Sequence, residues 1–161
     1  MRAIVPFLAI GMIAMPAVAA TPDIQVTVGS KLKEEARLHL GSREVEQLTV
    51  DLKRRVEREL ARTGTLEGAR LELVLVDVKP NRPTLRQMTE RPGLSFASYS
   101  VGGAAFEGRA IAFDGTITPI RYKWYESDIR NARDNATWGD ADTAFSLFSR
   151  RLGRGETYAT R

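Results

Sequence analysis

The sequence predicts an α+β fold, in which two helices pack on one face of a small, mostly antiparallel sheet. Three observations predict it: apolar residues recur in strand-like runs, two longer segments carry a helical stripe, and an Asp-Gly pair separates two of the runs. The chain has 161 residues, which is enough for one domain and too few for two of ordinary size. We therefore expect a single domain over residues 21–153.

The first 20 residues have the features of a secretory signal peptide. Arg2 precedes an apolar run that ends near Met15, Pro16 follows, and small residues at 17–20 suit a signal peptidase. We expect cleavage before Thr21, a periplasmic location, and no membrane span in the mature protein; a retained N-terminal anchor is the alternative. The chain contains no cysteine, which excludes disulfides and thiolate nucleophiles.

The first elements of the domain are a strand and a long helix. Residues 24–28 alternate apolar and polar side chains, which predicts the strand, whereas residues 30–41 fit either a helix or a strand. From a predicted cap at Ser42, apolar residues recur at three- and four-residue steps through a helix over 43–63, which ends at Gly64. This apolar stripe comprises Val45, Leu48, Leu52, Val56 and Leu60.

Three further strands follow this helix. Residues 70–78 are almost continuously apolar, so we expect a central strand that is covered on both faces or nearly so. The pair Asp114-Gly115 predicts a hairpin turn between strands over 103–113 and 116–126.

The last predicted element is a helix over 140–152, with Asp140 as its cap and Gly153 at its end. Its apolar stripe comprises Ala141, Ala144, Phe145, Phe148 and Leu152. The polar tail, 154–161, is predicted to be loose.

Residues 79–100, here called the excursion, connect two predicted strands and contain three prolines, which exclude a central strand. A connection longer than about 15 residues in a compact domain is usually functional or disordered. We expect the excursion to be ordered, with one helical turn over 84–89, because apolar side chains are available to tether it. These are Leu85, Met88, Leu94, Phe96 and Tyr99.

The excursion is also the predicted contact site. It carries donors suited to a carboxylate or a lipid phosphate, namely Asn81, Arg82, Arg86 and Arg91. We predict that these four residues contact an anionic envelope ligand or an envelope protein. The alternative is a packed connector whose arginines are solvated.

Composition disfavours several kinds of chemistry. The formal net charge is +4, or +3 without Arg2, and the arginines are scattered among acids, which argues against nucleic-acid binding. His39 is the only histidine, so neither a Ser-His-Asp mechanism nor a zinc site is expected. Ser30 and Lys33 match S-x-x-K, but the companion motifs of acyl-serine enzymes do not occur. We therefore predict no metal and no cofactor.

Paired carboxylates are the remaining catalytic template. Glu107 and Glu126 flank the predicted hairpin, but its register separates them by about 14 Å at about 3.4 Å per residue, whereas glycan hydrolases use about 5–9.5 Å. Gly102-Gly103 indicates a bulge or a close backbone approach rather than a phosphate-binding loop. We therefore predict a non-catalytic binding or accessory protein. The alternatives are a carboxylate-dependent hydrolase and a structural, self-associating envelope subunit.

Three segments give the chain a resemblance to known families. The run ARLELVLVDV from Ala69 to Val78, the proline-rich excursion, and GGAAF from Gly102 to Phe106 before an aromatic hairpin occur in this order. Over residues 24–152 the chain resembles the uncharacterised domain-of-unknown-function families of proteobacterial periplasmic proteins and outer-membrane lipoproteins. The resemblance implies an envelope location and an α+β domain, with no catalytic residues to carry over. Unlike the lipoproteins, this chain has no cysteine to acylate.

Overall fold

Four strands form one sheet in a computed structural model, which describes residues 21–133 and 135–156. The strands lie side by side in chain order, and β1 is parallel to β2 while the other two pairs are antiparallel. They are β1 (Asp23–Val28), β2 (Arg70–Lys79), β3 (Gly103–Ile111) and β4 (Ile117–Tyr125). The predicted signal peptide and the tail from residue 157 onward lie outside the described residues.

Helices cover one face of this sheet, which confirms the predicted α+β class. A π-helical turn, Ala36–Leu40, follows the first helix, so the segment that fitted either structure is helical. No helix within the described ranges is long and apolar enough to cross a membrane. The helices are α1 (Ser30–Glu35), α2 (Ser42–Thr63), α3 (Leu85–Glu90), α4 (Ile129–Ala132) and α5 (Gly139–Gly153).

The core lies between the sheet and the pair α2 and α5. The predicted apolar stripe of α2 is confirmed, since each of its five side chains is at most 3% exposed. Phe106 of β3 meets Phe148 of α5 edge to face, with 4.4 Å between ring centroids. Phe106 also stacks on Tyr122 of β4 at 5.2 Å. These aromatic contacts join both long antiparallel strands to α5.

The central position of β2 is confirmed, but its two faces are covered unequally. Leu71, Leu73 and Leu75 are buried on the helical side, whereas Val74 and Val76 are only half-buried on the other. The physical reason is that α2 and α5 both lie on one side of the sheet. A continuous apolar run therefore marks the middle of this sheet without marking a second layer.

Both predicted helix caps are wrong, although the helices themselves are confirmed. Gly41, with φ of 97°, takes the cap position of α2, and Ser42 is the first helical residue. At the start of α5, Asp140 lies inside the helix and is 2% exposed. Its carboxylate is used for a tertiary contact instead of a cap.

The predicted hairpin and the end of α2 are confirmed. Strands β3 and β4 pair in register from Gly103 opposite Tyr125 to Ile111 opposite Ile117. Gly64 ends α2 in the left-handed conformation, with φ of 68°, as a C-terminal glycine does.

Candidate functional site

The excursion is anchored to the domain through Asn81, which is fully buried. The side-chain Nδ2 of Asn81 donates to Asp140 Oδ2 at 2.5 Å and to the Ser100 carbonyl at 3.2 Å. Its Oδ1 accepts from the Asp140 backbone N–H at 2.8 Å, so the two residues hold each other reciprocally. The backbone N–H of Asn81 donates to the Thr137 carbonyl at 2.7 Å. One residue thus joins both ends of the excursion to the start of α5.

Asp140 is the other half of this anchor. Its Oδ2 also accepts from the Gly102 N–H at 2.8 Å, and its Oδ1 accepts from Asn135 Nδ2 at 2.7 Å. A buried carboxylate is tolerated when it is hydrogen-bonded, and both oxygens of Asp140 have donors. The N-terminal position in α5 adds the favourable field of the helix dipole. The anchor is therefore polar, buried and fully satisfied.

Two glycines allow the chain to pass this anchor and enter β3. A Cβ atom on Gly102 would lie 2.6 Å from the Lys79 carbonyl oxygen and 2.9 Å from Asn81 Oδ1. A Cβ atom on Gly103 would lie 2.3 Å from the Trp124 carbonyl oxygen. Both approaches are too short for any side chain. The predicted close backbone approach is confirmed.

Arg82, near the start of the excursion, bonds to Phe96 near its end and to the loop before α5. Its Nε donates to the Asn135 carbonyl at 2.7 Å, and its Nη1 donates to the Phe96 carbonyl at 2.6 Å. Its Nη2 donates to the Arg133 carbonyl at 2.5 Å. The side-chain donors of Asn81 and Arg82 are therefore already used by backbone and side-chain groups of the protein itself, and a ligand contact by either residue stays a prediction.

An ionic cluster ties α3 to the π-helical turn. Arg86 pairs with Glu90 and donates to the Leu38 carbonyl at 3.2 Å, while His39 Nδ1 lies 3.2 Å from the second oxygen of Glu90. These contacts lower the pKa of Glu90, with the hydrogen bond from His39 as the largest cause and that from Arg86 as the next. Arg86 keeps 52% of its side chain exposed, so it is both a tie and a surface cation.

Arg91 is the most available of the four predicted contact residues. Its side chain is exposed and makes no hydrogen bond or ion pair with another described residue. The structure does not gather the four residues into one cluster of free donors, because the donors of Asn81 and Arg82 bond to other groups of the protein. A ligand contact by Arg86 or Arg91 stays a prediction.

Three of the five apolar side chains predicted to tether the excursion do not do so. Leu85 is 65% exposed, Phe96 61% and Tyr99 46%. Met88 and Leu94 are half-buried. The excursion is thus held at both ends by polar groups, while three large apolar side chains remain exposed. The prediction was wrong for these three because it assigned burial by hydrophobicity alone.

A cleft of about 350 Å³ lies between the excursion and the body of the domain. The body contributes Glu35, Leu40 and Val78 to its wall, and the excursion contributes residues that include Leu94 and Tyr99. Apolar and polar groups share this lining, which suits a small ligand or the side chain of a partner.

The carboxylate pair considered from the sequence does not form a site. Glu107 lies opposite Arg121, with 3.8 Å between their charged atoms, and Glu126 lies beside Gly102, to whose carbonyl its N–H donates. Glu107 and Gly102 are five positions apart along the extended chain, which is about 17 Å at about 3.4 Å per residue. Hydrogen bonds, first from the Asp128 N–H, lower the pKa of Glu126. No group of three His, Asp or Glu side chains suited to a metal occurs in the described part of the chain.

Comparison with known proteins does not indicate a function, so the functional interpretation depends on the geometry of the excursion. No protein-family model and no curated protein sequence matches this chain. The resemblance to envelope families therefore stays a prediction.

Proposed function

We propose that this protein is a non-catalytic binding or accessory protein of the bacterial cell envelope, and that it contacts its ligand or partner through the excursion. One observation carries the proposal: the excursion is fixed by buried polar groups and yet exposes large apolar side chains. A segment that is already ordered loses little conformational entropy when it binds, so its contacts convert efficiently into affinity.

Folding leaves the large apolar side chains of the excursion exposed, so the free energy of burying them is still available for binding. Full burial of a leucine or phenylalanine contributes about 1.5–3 kcal/mol relative to exposure. Leu85, Phe96 and Tyr99 do not realise this contribution in the folded chain. Aromatic residues are also enriched among the side chains that dominate binding energy at interfaces. A partner that buries these three side chains would therefore bind with a favourable hydrophobic free energy.

We further propose that residues 1–20 are a cleaved signal peptide that delivers the protein to the periplasm. The basic residue, the apolar run and the small residues before Thr21 support this proposal. Intact-mass measurement on protein from a periplasmic extract is expected to give a chain that begins at Thr21. Recovery of the chain from the membrane fraction with Met1 retained would contradict it.

Photo-crosslinking in cells that produce the full chain tests the contact surface. A photoreactive phenylalanine analogue replaces Phe96 in one variant and Phe113 in the matched control. Phe113 is 95% exposed in the hairpin turn, at the far end of β3 from the excursion. We expect a crosslinked adduct from position 96 and none from position 113. Adding Leu85→Ser to the position-96 variant should reduce that adduct.

Two results would contradict the proposed contact surface. The first is equal crosslinking from positions 96 and 113, because exposure alone would then explain the adduct. The second is the lack of any adduct from position 96.

A further inference from the structure

We infer that the excursion docks on an anionic lipid surface, with its exposed apolar side chains in the interfacial layer and its cations at the level of the lipid phosphates. This inference rests on the proposed function, because it names the partner class for the same surface. It combines the charge, the exposure and the rigidity of one segment.

The excursion concentrates the positive charge of the chain. Its 22 residues hold four basic residues and one acid, which gives a net charge of +3 out of +4 for all 161 residues. The acid, Glu90, is already paired with Arg86 and His39. The neighbouring segment 30–41 adds one further net positive charge, with three basic residues and two acids. This end of the molecule therefore attracts anions.

Exposed apolar groups gather at the same end. Leu85, Phe96 and Tyr99 belong to the excursion, and Leu38, which is 37% exposed, lies beside it because its carbonyl accepts from Arg86. These four are half of the eight large apolar residues that are exposed in the described part of the chain. Segments that bind in the plane of a bilayer surface combine apolar side chains with arginine or lysine in this way.

The anchor prevents the apolar groups from folding back into the protein. Asn81 and Asp140 hold both ends of the excursion, and Arg82 holds the backbone of Phe96 itself. Because the Phe96 carbonyl is fixed, the backbone at Phe96 keeps its place at the surface unless this contact breaks. The chain therefore presents the apolar groups with little backbone ordering cost.

A lipid surface uses all of these features together. Tyr99 suits the headgroup level of a bilayer, where Tyr and Trp are enriched, and Phe96 suits the apolar face that interfacial segments bury. Arginine binds phosphate oxygens bidentately, and the guanidinium of Arg91 has no partner among the described residues. Each cation near an anionic bilayer strengthens binding by about fivefold. A protein partner is the competing occupant, and the experiment below distinguishes the two.

Vesicle sedimentation with the purified full chain tests the inference. The affinity is measured for vesicles of phosphatidylglycerol with phosphatidylcholine and for vesicles of phosphatidylcholine alone. The ratio of the two affinities is the readout; the N-terminal segment, which includes Arg2, is the same in the wild type and in every variant, so differences between the variants report on the excursion alone. We expect a preference for the anionic vesicles of about tenfold or more at about 0.01 M salt, lost at about 1 M salt as screening shortens the Debye length.

Matched variants locate the docking surface. Arg91→Gln should lower the preference for anionic vesicles by about fivefold, whereas Arg58→Gln, which removes an exposed cation from α2, should leave it nearly unchanged. The double change Leu85→Ser and Phe96→Ser should weaken binding to anionic vesicles about tenfold or more, whereas Phe113→Ser should not. All of these side chains are exposed, so the variants should unfold at the same temperature as the wild type.

Equal wild-type affinity for the two kinds of vesicle would overturn the lipid inference. So would equal effects of the paired variants, because binding would then not involve the excursion. A protein adduct from the photoreactive group at position 96, together with no preference for anionic vesicles, would leave the proposed function standing and refute only the lipid surface.

Discussion

The core and the excursion are held together by opposite kinds of contact. In the core, aromatic and aliphatic side chains from α2, α5 and the sheet pack out of contact with water, with Phe106 and Phe148 at the centre. In the excursion, the amide of Asn81 is buried against the Asp140 carboxylate of α5, and three large apolar side chains, Leu85, Phe96 and Tyr99, are exposed. Hydrophobic burial fixes the first region and hydrogen bonds fix the second.

This difference separates stability from contact. A hydrophobic core consumes its apolar surface in folding, so nothing of it remains for a partner. A segment fixed by hydrogen bonds keeps its apolar surface available while its backbone stays ordered. The excursion therefore combines an ordered backbone, as in the core, with apolar side chains that a partner can reach.

The largest effect should come from emptying the core. Phe148→Ala removes the ring that contacts Phe106 and Tyr122, so the free energy of unfolding should fall by about 3–5 kcal/mol. Urea denaturation measures this change. The matched control is Phe113→Ala, which should change the free energy of unfolding by less than about 0.5 kcal/mol because the ring is solvated. Similar losses in the two variants would mean that the core is placed wrongly.

The polar anchor should give the next largest effect. Asn81→Ala leaves Asp140 without two of its contacts and the Ser100 carbonyl without a donor, which should cost about 2–3 kcal/mol. Asn131→Ala, which alters an exposed amide, is the control and should be nearly neutral. If Asn81→Ala leaves the free energy of unfolding equally unchanged, hydrogen bonds at Asn81 do not hold the excursion in place.

Arg82 and Arg91 compare an internal and a solvated arginine within the excursion. Arg82→Gln loses three bonds to carbonyls and should lower the free energy of unfolding by about 1–2 kcal/mol. Arg91→Gln should change it by less than about 0.5 kcal/mol. Thermal unfolding of both variants checks the order, and a larger effect at Arg91 would reverse the assignment of the two residues.

The smallest effect concerns Tyr125, the last residue of β4, which lies opposite Gly103 at the start of β3. Burial, together with the hydrogen bond to Asp77 at 2.5 Å, raises the pKa of Tyr125. A group whose pKa is higher in the folded state contributes stability that is complete below its ordinary pKa of about 10 and is lost as pH rises further. Tyr125→Phe should therefore reduce the decline in the free energy of unfolding above about pH 10. Identical pH profiles for the two proteins would count against this coupling.

The elements of the fold were predictable because their signals are local. The stripe of α2 records which side of a helix is buried, and the Asp114-Gly115 pair records a turn, whatever lies elsewhere in the chain. The uncovered second face of β2 was not predictable in this way. An apolar run of valines is compatible with one or two layers of helix, and only the placement of α2 and α5 decides between them.

The anchor was hidden because its partners are far apart along the chain. Asn81 and Asp140 are separated by 59 positions, and each residue type has a common local use in turns or helix caps. Arg82 and Arg91 have the same side chain in the same proline-rich segment, yet one binds three carbonyls and the other faces solvent. The prolines marked the position of the excursion in the sequence. Which of its residues face the protein and which face solvent is decided by contacts with distant parts of the chain, and no local pattern shows these contacts.

Amide hydrogen exchange on the wild-type protein tests most directly whether the excursion is a rigid, polar-anchored segment. The N–H groups of Asn81, Ser100 and Gly102 donate to the Thr137 carbonyl, the Asn81 carbonyl and the Asp140 carboxylate. We expect these three amides to exchange nearly as slowly as those of β2 and β3 in the core. Exchange at the rates of an unfolded peptide, with the core still protected, would contradict the account.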